Sequence, residues 1–196
     1  IDCGANADCK PEYLVQFALM GQAYMKGVMG VEEPKVGLLN IGAEDEKGNE
    51  LAKAAFPLLK AHRGIHFFGN VEARDVLAGG VQVVVCDGFS GNILLKSTEG
   101  AAALIFGKLK GALMSSVRSK LGAAMVKPAL KTVKDELDYE QYGGAALLGV
   151  SGAVVKAHGS SKGHAYACAI RQARTMVEGK VVDIIAQQLS ETAAEK

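Results

Sequence analysis

Four times along this chain a short apolar run ends in Gly, Asn, Asp or Ser and gives way to a helical pattern. Val36 to Leu39 precedes Asn40-Ile41-Gly42, Ile65 to Phe68 precedes Gly69-Asn70, Val81 to Cys86 precedes Asp87-Gly88-Phe89-Ser90-Gly91-Asn92, and Ala153 to Ala157 precedes His158-Gly159-Ser160-Ser161. Ile1 reads as the stub of a fifth strand entering a loop. Strands that alternate with helices pair side by side in parallel beneath helical layers. Val81, Val83, Val84 and Val85 form the near-continuous β-branched run expected of a parallel strand buried on both faces, so this strand is expected to be central. The expected fold is therefore α/β, a Rossmann-like three-layer sandwich on a mostly parallel sheet.

Helical periodicity fills the intervals: Pro11 to Met29, with Pro suited to a first turn, Gly48 to His62, Glu99 to Leu121, Lys127 to Leu137, and Gly163 to Ser190 with a break near Gly179. In the third of these, Ile105, Leu109, Leu113, Val117 and Leu121 recur at helical spacing between Lys108, Lys110, Arg118 and Lys120. The apolar stretch Leu121 to Val126 then separates two basic segments, and Pro128 is expected to restart the next helix. Residues 99–138 are thus expected to protrude as a basic helical hairpin with an apolar tip, within one domain that takes in all of residues 1–196.

With 49% hydrophobic and 22% charged residues the chain can build a core, which excludes disorder, collagen and coiled coil. It starts with Ile, so further residues are expected before it, and it is read as incomplete at its N-terminal side. No apolar run approaches the roughly 18 residues of a spanning helix, no secretory leader opens it, and its four cysteines make neither a disulfide scaffold nor a zinc pattern. A cytoplasmic location is expected, with each cysteine a small buried hydrophobe. The net charge of +1 conceals an asymmetry: Gly100 to Lys134 holds seven basic residues and no carboxylate, leaving 15 basic against 21 acidic elsewhere. That segment suits an anionic surface or is simply a solvated helix face; the remainder offers nothing to nucleic acid.

In open parallel sheets ligands bind beyond the carboxyl ends of the strands, where helix N-termini and loop amides converge. The polar clusters all fall there. His158-Gly159-Ser160-Ser161, with Lys156 or Lys162 nearby, has the amides and hydroxyls to hold a phosphate, or is a capped turn. Asp87 to Asn92 offers close backbone approach through its glycines and donors from Ser90 and Asn92, or is ordinary strand-to-helix turn chemistry. Asn40 and Asn70 add carboxamides, and Arg74 a guanidinium that also reads as an ion pair with Asp75. His62 and His66 flank a turn, so a shared metal is not expected; His164 reads as a helix-surface residue. Neither a dinucleotide fingerprint nor a P-loop is present, which points to anion binding without a metal.

Taken together, several stretches resemble the phosphate acyltransferase family of bacterial phospholipid synthesis: Asp2 to Pro11, Val36 to Gly42, Lys47 to Glu50, Phe68 to Glu72, Val84 to Asn92, Asp138-Tyr139-Glu140 with Tyr142 to Ala145, and Lys156 to Ser161. They extend from residue 2 to about residue 175, the C-terminal part of a longer family pattern. Two departures are local: Ala146 and Ser151 stand where that pattern has Pro and Asn. The resemblance implies transfer of a long-chain fatty acyl group from acyl carrier protein to inorganic phosphate, without a cofactor, giving acyl phosphate for a membrane glycerol-phosphate acyltransferase. It also implies a homodimer with peripheral membrane association.

On that reading Lys156, His158, Gly159, Ser160 and Ser161 hold phosphate, while Asp87, Ser90 and Asn92, with Asn6, Asn40 and Asn70, line the thioester and the pantetheine arm. Asp87, Ser90, Asn92 and His158 are the expected catalytic residues. Lys120, Leu121, Met125, Val126 and Lys127 face an anionic membrane, and basic residues farther down suit an acidic carrier protein. Two alternatives stay open: a phosphotransacetylase-like enzyme using coenzyme A, and a non-catalytic module that binds a membrane or carrier protein.

Overall fold

The computed structural model of the chain describes residues 1–136, 143–159 and 161–194. Three parallel strands, β1 (Val36–Asn40), β2 (Phe67–Glu72) and β3 (Val83–Val85), lie in the order β2-β1-β3. The Ile1 stub extends this sheet: the Ile1 N-terminus donates to Val84 O at 2.8 Å and its carbonyl accepts from Cys86 N at 2.9 Å, the ladder of a parallel neighbour. Val36, Leu38, Val83 and Val85 point one way into the core. Against them pack α1 (Pro11–Gly27) through Leu14, Ala18 and Leu19, and α2 (Glu50–Ala61) through Ala55, Phe56 and Leu59. Gly21 lets α1 approach β3, since a side-chain carbon there would lie 2.5 Å from Val83 Cγ1.

Two strands differ from the sequence reading, each for an identifiable reason. Gly69 and Asn70 belong to β2 instead of the loop after it, because parallel pairing with Gly37 and Leu38 carries the strand on to Glu72. The run at Ala153 to Ala157 forms β5 (Val154–Lys156), yet not in the parallel sheet. It pairs antiparallel with β4 (Ala145–Leu147), and this hairpin lays Ala146, Leu148, Ala153 and Val155 on the core. The break at Gly179 is where expected, between α5 (Gly163–Glu178) and α6 (Val181–Ala194); Gly179 is small enough to pack on Gly27 of α1.

The largest correction concerns the basic segment. α3 runs from Gly88 to Leu113 and α4 from Val117 to Glu136, so the turn between them is Met114-Ser115-Ser116, and Leu121, Met125 and Val126 lie within α4. Two serines make that turn. Ser115 Oγ donates to Ala112 O at 2.7 Å at the end of α3, and Ser116 Oγ accepts Ser119 N at 3.1 Å at the start of α4, a side-chain N-cap. Pro128 continues α4 instead of restarting a helix.

Candidate functional site

Asp87 follows β3 and caps α3. One carboxylate oxygen accepts Ser90 N at 2.7 Å and the other accepts the Ser90 hydroxyl at 2.9 Å, so the charge at this helix start is supplied by the chain itself. Against the same turn lies the loop Asp2 to Cys9, where Asn6 O accepts Gly88 N at 2.7 Å. The loop is wound around the buried Asp2 carboxylate, which accepts from Gly4 N, Ala5 N and Asn6 N at 2.9, 3.0 and 2.7 Å and from the Asn6 carboxamide at 2.8 Å. Burial alone would raise this carboxyl; the donors from Ala5, Asn6 and Gly4 outweigh it and hold its pKa below the ordinary value. The stability it contributes is present at neutral pH and is lost as pH falls through the lowered pKa. Sequence reasoning missed Asp2, although an Asp two residues before a Gly is the signal of such a turn.

Gly91 and Gly88 face this loop with no space for side chains: a carbon on Gly91 would overlap the Asp2 carbonyl oxygen, and one on Gly88 would lie 2.7 Å from Asn6 O. Asn92 comes next and is exposed, its Oδ1 3.5 Å from where a Gly4 side-chain carbon would sit. Unlike Ser90, its carboxamide is held by no other described residue.

Asn40 and Asn70 sit on adjacent strands at this same edge and are 9% and 5% exposed. Their Nδ2 donors are spent on the loop Ile41 to Asn49: Asn40 donates to Lys47 O at 3.0 Å and Asn70 to Glu44 O at 2.7 Å. They fold that loop onto the sheet edge, with Gly48, at φ 105°, packed against the Asn40 amide. Arg74 is the exposed ion pair expected, 3.0 Å from Glu72 and 3.6 Å from Asp75.

Lys156 ends β5, and His158, Gly159 and Ser161 lead from it into α5; Ser160 lies outside the described residues, as do Asp138 to Tyr142. Lys156, His158 and Gly159 are exposed, Ser161 is half-buried, and Ser161 N donates to His158 O at 3.0 Å. α5 runs in the same direction as α1, since Gln172 bonds Tyr24 and Gly179 packs on Gly27 farther along both helices. Its start therefore lies at the end of the molecule where α1 begins, which is the carboxyl edge of the parallel sheet. Lys162, the N-cap residue of α5, makes no side-chain cap bond, in contrast to Asp87 at α3. Among the described residues no side chain accepts from the helix's first N–H groups, and Lys156 and Lys162 precede them in the sequence.

Two of the four thiols, Cys86 and Cys9, are poor nucleophiles. Burial pushes Cys86 up to about 11 and raises Cys9, so both stay protonated at neutral pH. Cys86 and Cys168 are buried as expected, whereas Cys3 is exposed in the Asp2 to Cys9 loop because its neighbours, not its own side chain, make that loop's contacts.

Curated relatives match nearly the whole chain: proteins named phosphate acyltransferase from Clostridium acetobutylicum, 55% identical over 97% of the chain, from Geobacillus thermodenitrificans, 53% over 98%, and from Bacillus cytotoxicus, 55% over 94%. The chain spans 57%, 58% and 56% of their respective lengths. The family model described as fatty acid synthesis protein matches residues 1–184, and the chain belongs to that family.

Proposed function

We propose that the full-length protein transfers a long-chain fatty acyl group from acyl carrier protein to inorganic phosphate. The observation that carries this reading is the contrast between two helix starts at one edge: α3 is capped by its own Asp87, while α5 has no side-chain cap among the described residues and is preceded by Lys156, His158 and Lys162. The second suits a phosphate anion, held by Lys156, His158, Gly159, Ser161 and, by sequence position, Ser160. Phosphate is anionic and nucleophilic at neutral pH. One of its oxygens attacks the thioester carbonyl carbon, the tetrahedral oxyanion collapses, the C–S bond breaks, and the carrier thiolate leaves as acyl phosphate is released. Neither covalent catalysis nor a strong base is required, so positioning and charge stabilisation supply the rate. Asn92 is the donor for the oxyanion, with Asp87 and Ser90 fixing the turn from which it projects and Asn6 the loop beside it. Asn40 and Asn70 shape the wall for the pantetheine arm through the loop they hold. The names of the relatives support the reaction class.

Cleavage of palmitoyl-acyl carrier protein, assayed with and without inorganic phosphate on this chain and on the full-length protein, tests the reading. Phosphate-dependent loss of thioester with formation of acyl phosphate is the expected result, at least in the longer form. Absent cleavage in both would leave a binding module instead, and phosphate-independent cleavage would make the reaction a thioester hydrolysis.

The same proposal takes the protein to the cytoplasmic membrane surface as a homodimer, with the other face of its sheet covered to complete a three-layer domain. Among the described residues no helix is long and apolar enough to cross a membrane. Val117, Leu121 and Met125 instead form an i, i+4 stripe at the start of α4, 76%, 66% and 84% exposed, flanked by Lys120 and Lys127. Val126 stands beside the stripe, and the basic residues farther along α3 and α4 face the acidic carrier protein. Flotation with anionic liposomes is expected to be lost in Met125→Glu; equal flotation of both proteins would remove this face from membrane binding.

A further inference from the structure

The β4–β5 hairpin has a second face besides the one laid on the core. Its register sets Ala145 opposite Lys156 and Leu147 opposite Val154, and residues directly opposite each other share a face. Ala145 and Lys156 are exposed, and Leu147 and Val154 are 45% and 44% exposed. An aliphatic track therefore leads from Lys156, placed above in the phosphate site, along the hairpin to its turn. At about 3.3 Å per residue the four steps from Lys156 back to Gly152 span about 13 Å.

At the turn the track meets a cavity of about 340 Å³. Leu147 and Val150 of the hairpin line it together with Val182, Ala186 and Leu189 of α6 and the fully buried Met176 of α5. Among the described residues Ser151 supplies the one polar side chain of this lining, and no charged side chain belongs to it. An occupant with several polar groups would leave most of them without a side-chain partner, which is costly; a hydrocarbon chain has none to satisfy.

Length argues for the same occupant. An extended hydrocarbon advances about 1.3 Å per carbon, given C–C bonds of about 1.5 Å, so about ten carbons cover the track from a carbonyl held beside Lys156. A palmitoyl chain carries about six more into the cavity, which at roughly 30 Å³ each, the share of one water, fill about half of it. An octanoyl chain stops short of the cavity.

We propose that the exposed face of the hairpin and this cavity bind the fatty acyl chain of the substrate, and that the cavity sets a preference for long chains. The inference rests on the acyl-transfer reading above, which puts the reacting carbonyl beside Lys156. Two readouts on the full-length protein test it. In the first, kcat/KM is measured for palmitoyl- and octanoyl-acyl carrier protein with inorganic phosphate. Each buried methylene favours the longer chain by about fourfold, so the wild type is expected to prefer palmitoyl. Ala186→Trp fills the cavity from an exposed position of α6 and should lower the palmitoyl-to-octanoyl ratio by at least about tenfold. Val150→Asp, on the exposed turn, sets a charge against the end of the chain and should lower the ratio likewise. In the second readout, bound cis-parinaric acid is displaced by palmitate or octanoate, which follows chain binding without any acyl transfer. Displacement by palmitate should weaken by about tenfold in both variants.

A wild type that does not distinguish the two chain lengths, or a ratio and a displacement that both variants leave unchanged, overturns the proposal. Should the wild type turn over neither thioester with phosphate, the acyl-transfer reading fails by itself. Weakened displacement in the variants would then still seat a fatty acyl chain in the cavity, and unchanged displacement would overturn it.

Discussion

Gly91→Ala is expected to cost about 3 kcal/mol of folding stability, read as a lower urea midpoint at unchanged slope. The added methyl overlaps the Asp2 carbonyl oxygen and comes within 2.8 Å of Cys86 Sγ, and neither can yield freely. Asp2 is tied on one side to the sheet, through its N–H to Cys86 O at 3.0 Å, and on the other to the Gly4 to Asn6 amides by its carboxylate. Relief therefore means lifting the whole Asp2 to Cys9 loop away from α3. Gly100→Ala, nine residues along the same helix, meets nothing within 4 Å and should instead stabilise by about 1 kcal/mol, the usual gain from replacing an exposed helical glycine. A loss below about 1 kcal/mol for Gly91→Ala would mean that the loop is not seated on α3 as described.

That pair of glycines also marks where sequence reasoning stops. Periodicity and β-branching are local, and they located α1, the core strand at Val83–Val85 and the break at Gly179. The Asp87-to-Asn92 stretch was legible as a turn with chemistry, yet α3 was expected only from Glu99; the Asp87 carboxylate over Ser90 N starts it eleven residues earlier. The tip of the basic segment lies elsewhere than apolar content suggests because capping decides it: Ser115-Ser116 closes one helix and opens the next, while Leu121, Ala123, Ala124 and Met125 are competent helix formers. Non-local pairing was the harder loss. Nothing in Ala153 to Ala157 distinguishes a parallel strand from one arm of an antiparallel hairpin, since the partner at Ala145–Leu147 decides it. Likewise Asn40 ends its strand as expected and Asn70 lies inside β2, but the donors of both answer the Lys47 and Glu44 carbonyls, a demand invisible until the loop is folded.

This distinction ranks the polar residues of the edge for their effect on turnover. Asn92→Ala in the full-length protein is expected to lower kcat by about ten- to a thousandfold, the range for removing one donor to a developing oxyanion, while leaving the urea midpoint within about 0.5 kcal/mol of wild type. The basis is that the Asn92 carboxamide is exposed and bonded to no described residue, so no structural work is lost with it. Ser90→Ala should do the reverse. Its hydroxyl is committed to Asp87 at 2.9 Å, so its removal loosens the cap and costs stability first, with activity following only as the turn frays. Because an oxyanion donor acts in the transition state, Asn92→Ala should change kcat and kcat/KM in parallel and leave the KM for phosphate near its original value. If KM for phosphate rises instead with kcat preserved, the anion sits at the start of α3 beside Asp87, and the start of α5 loses its place in the reaction.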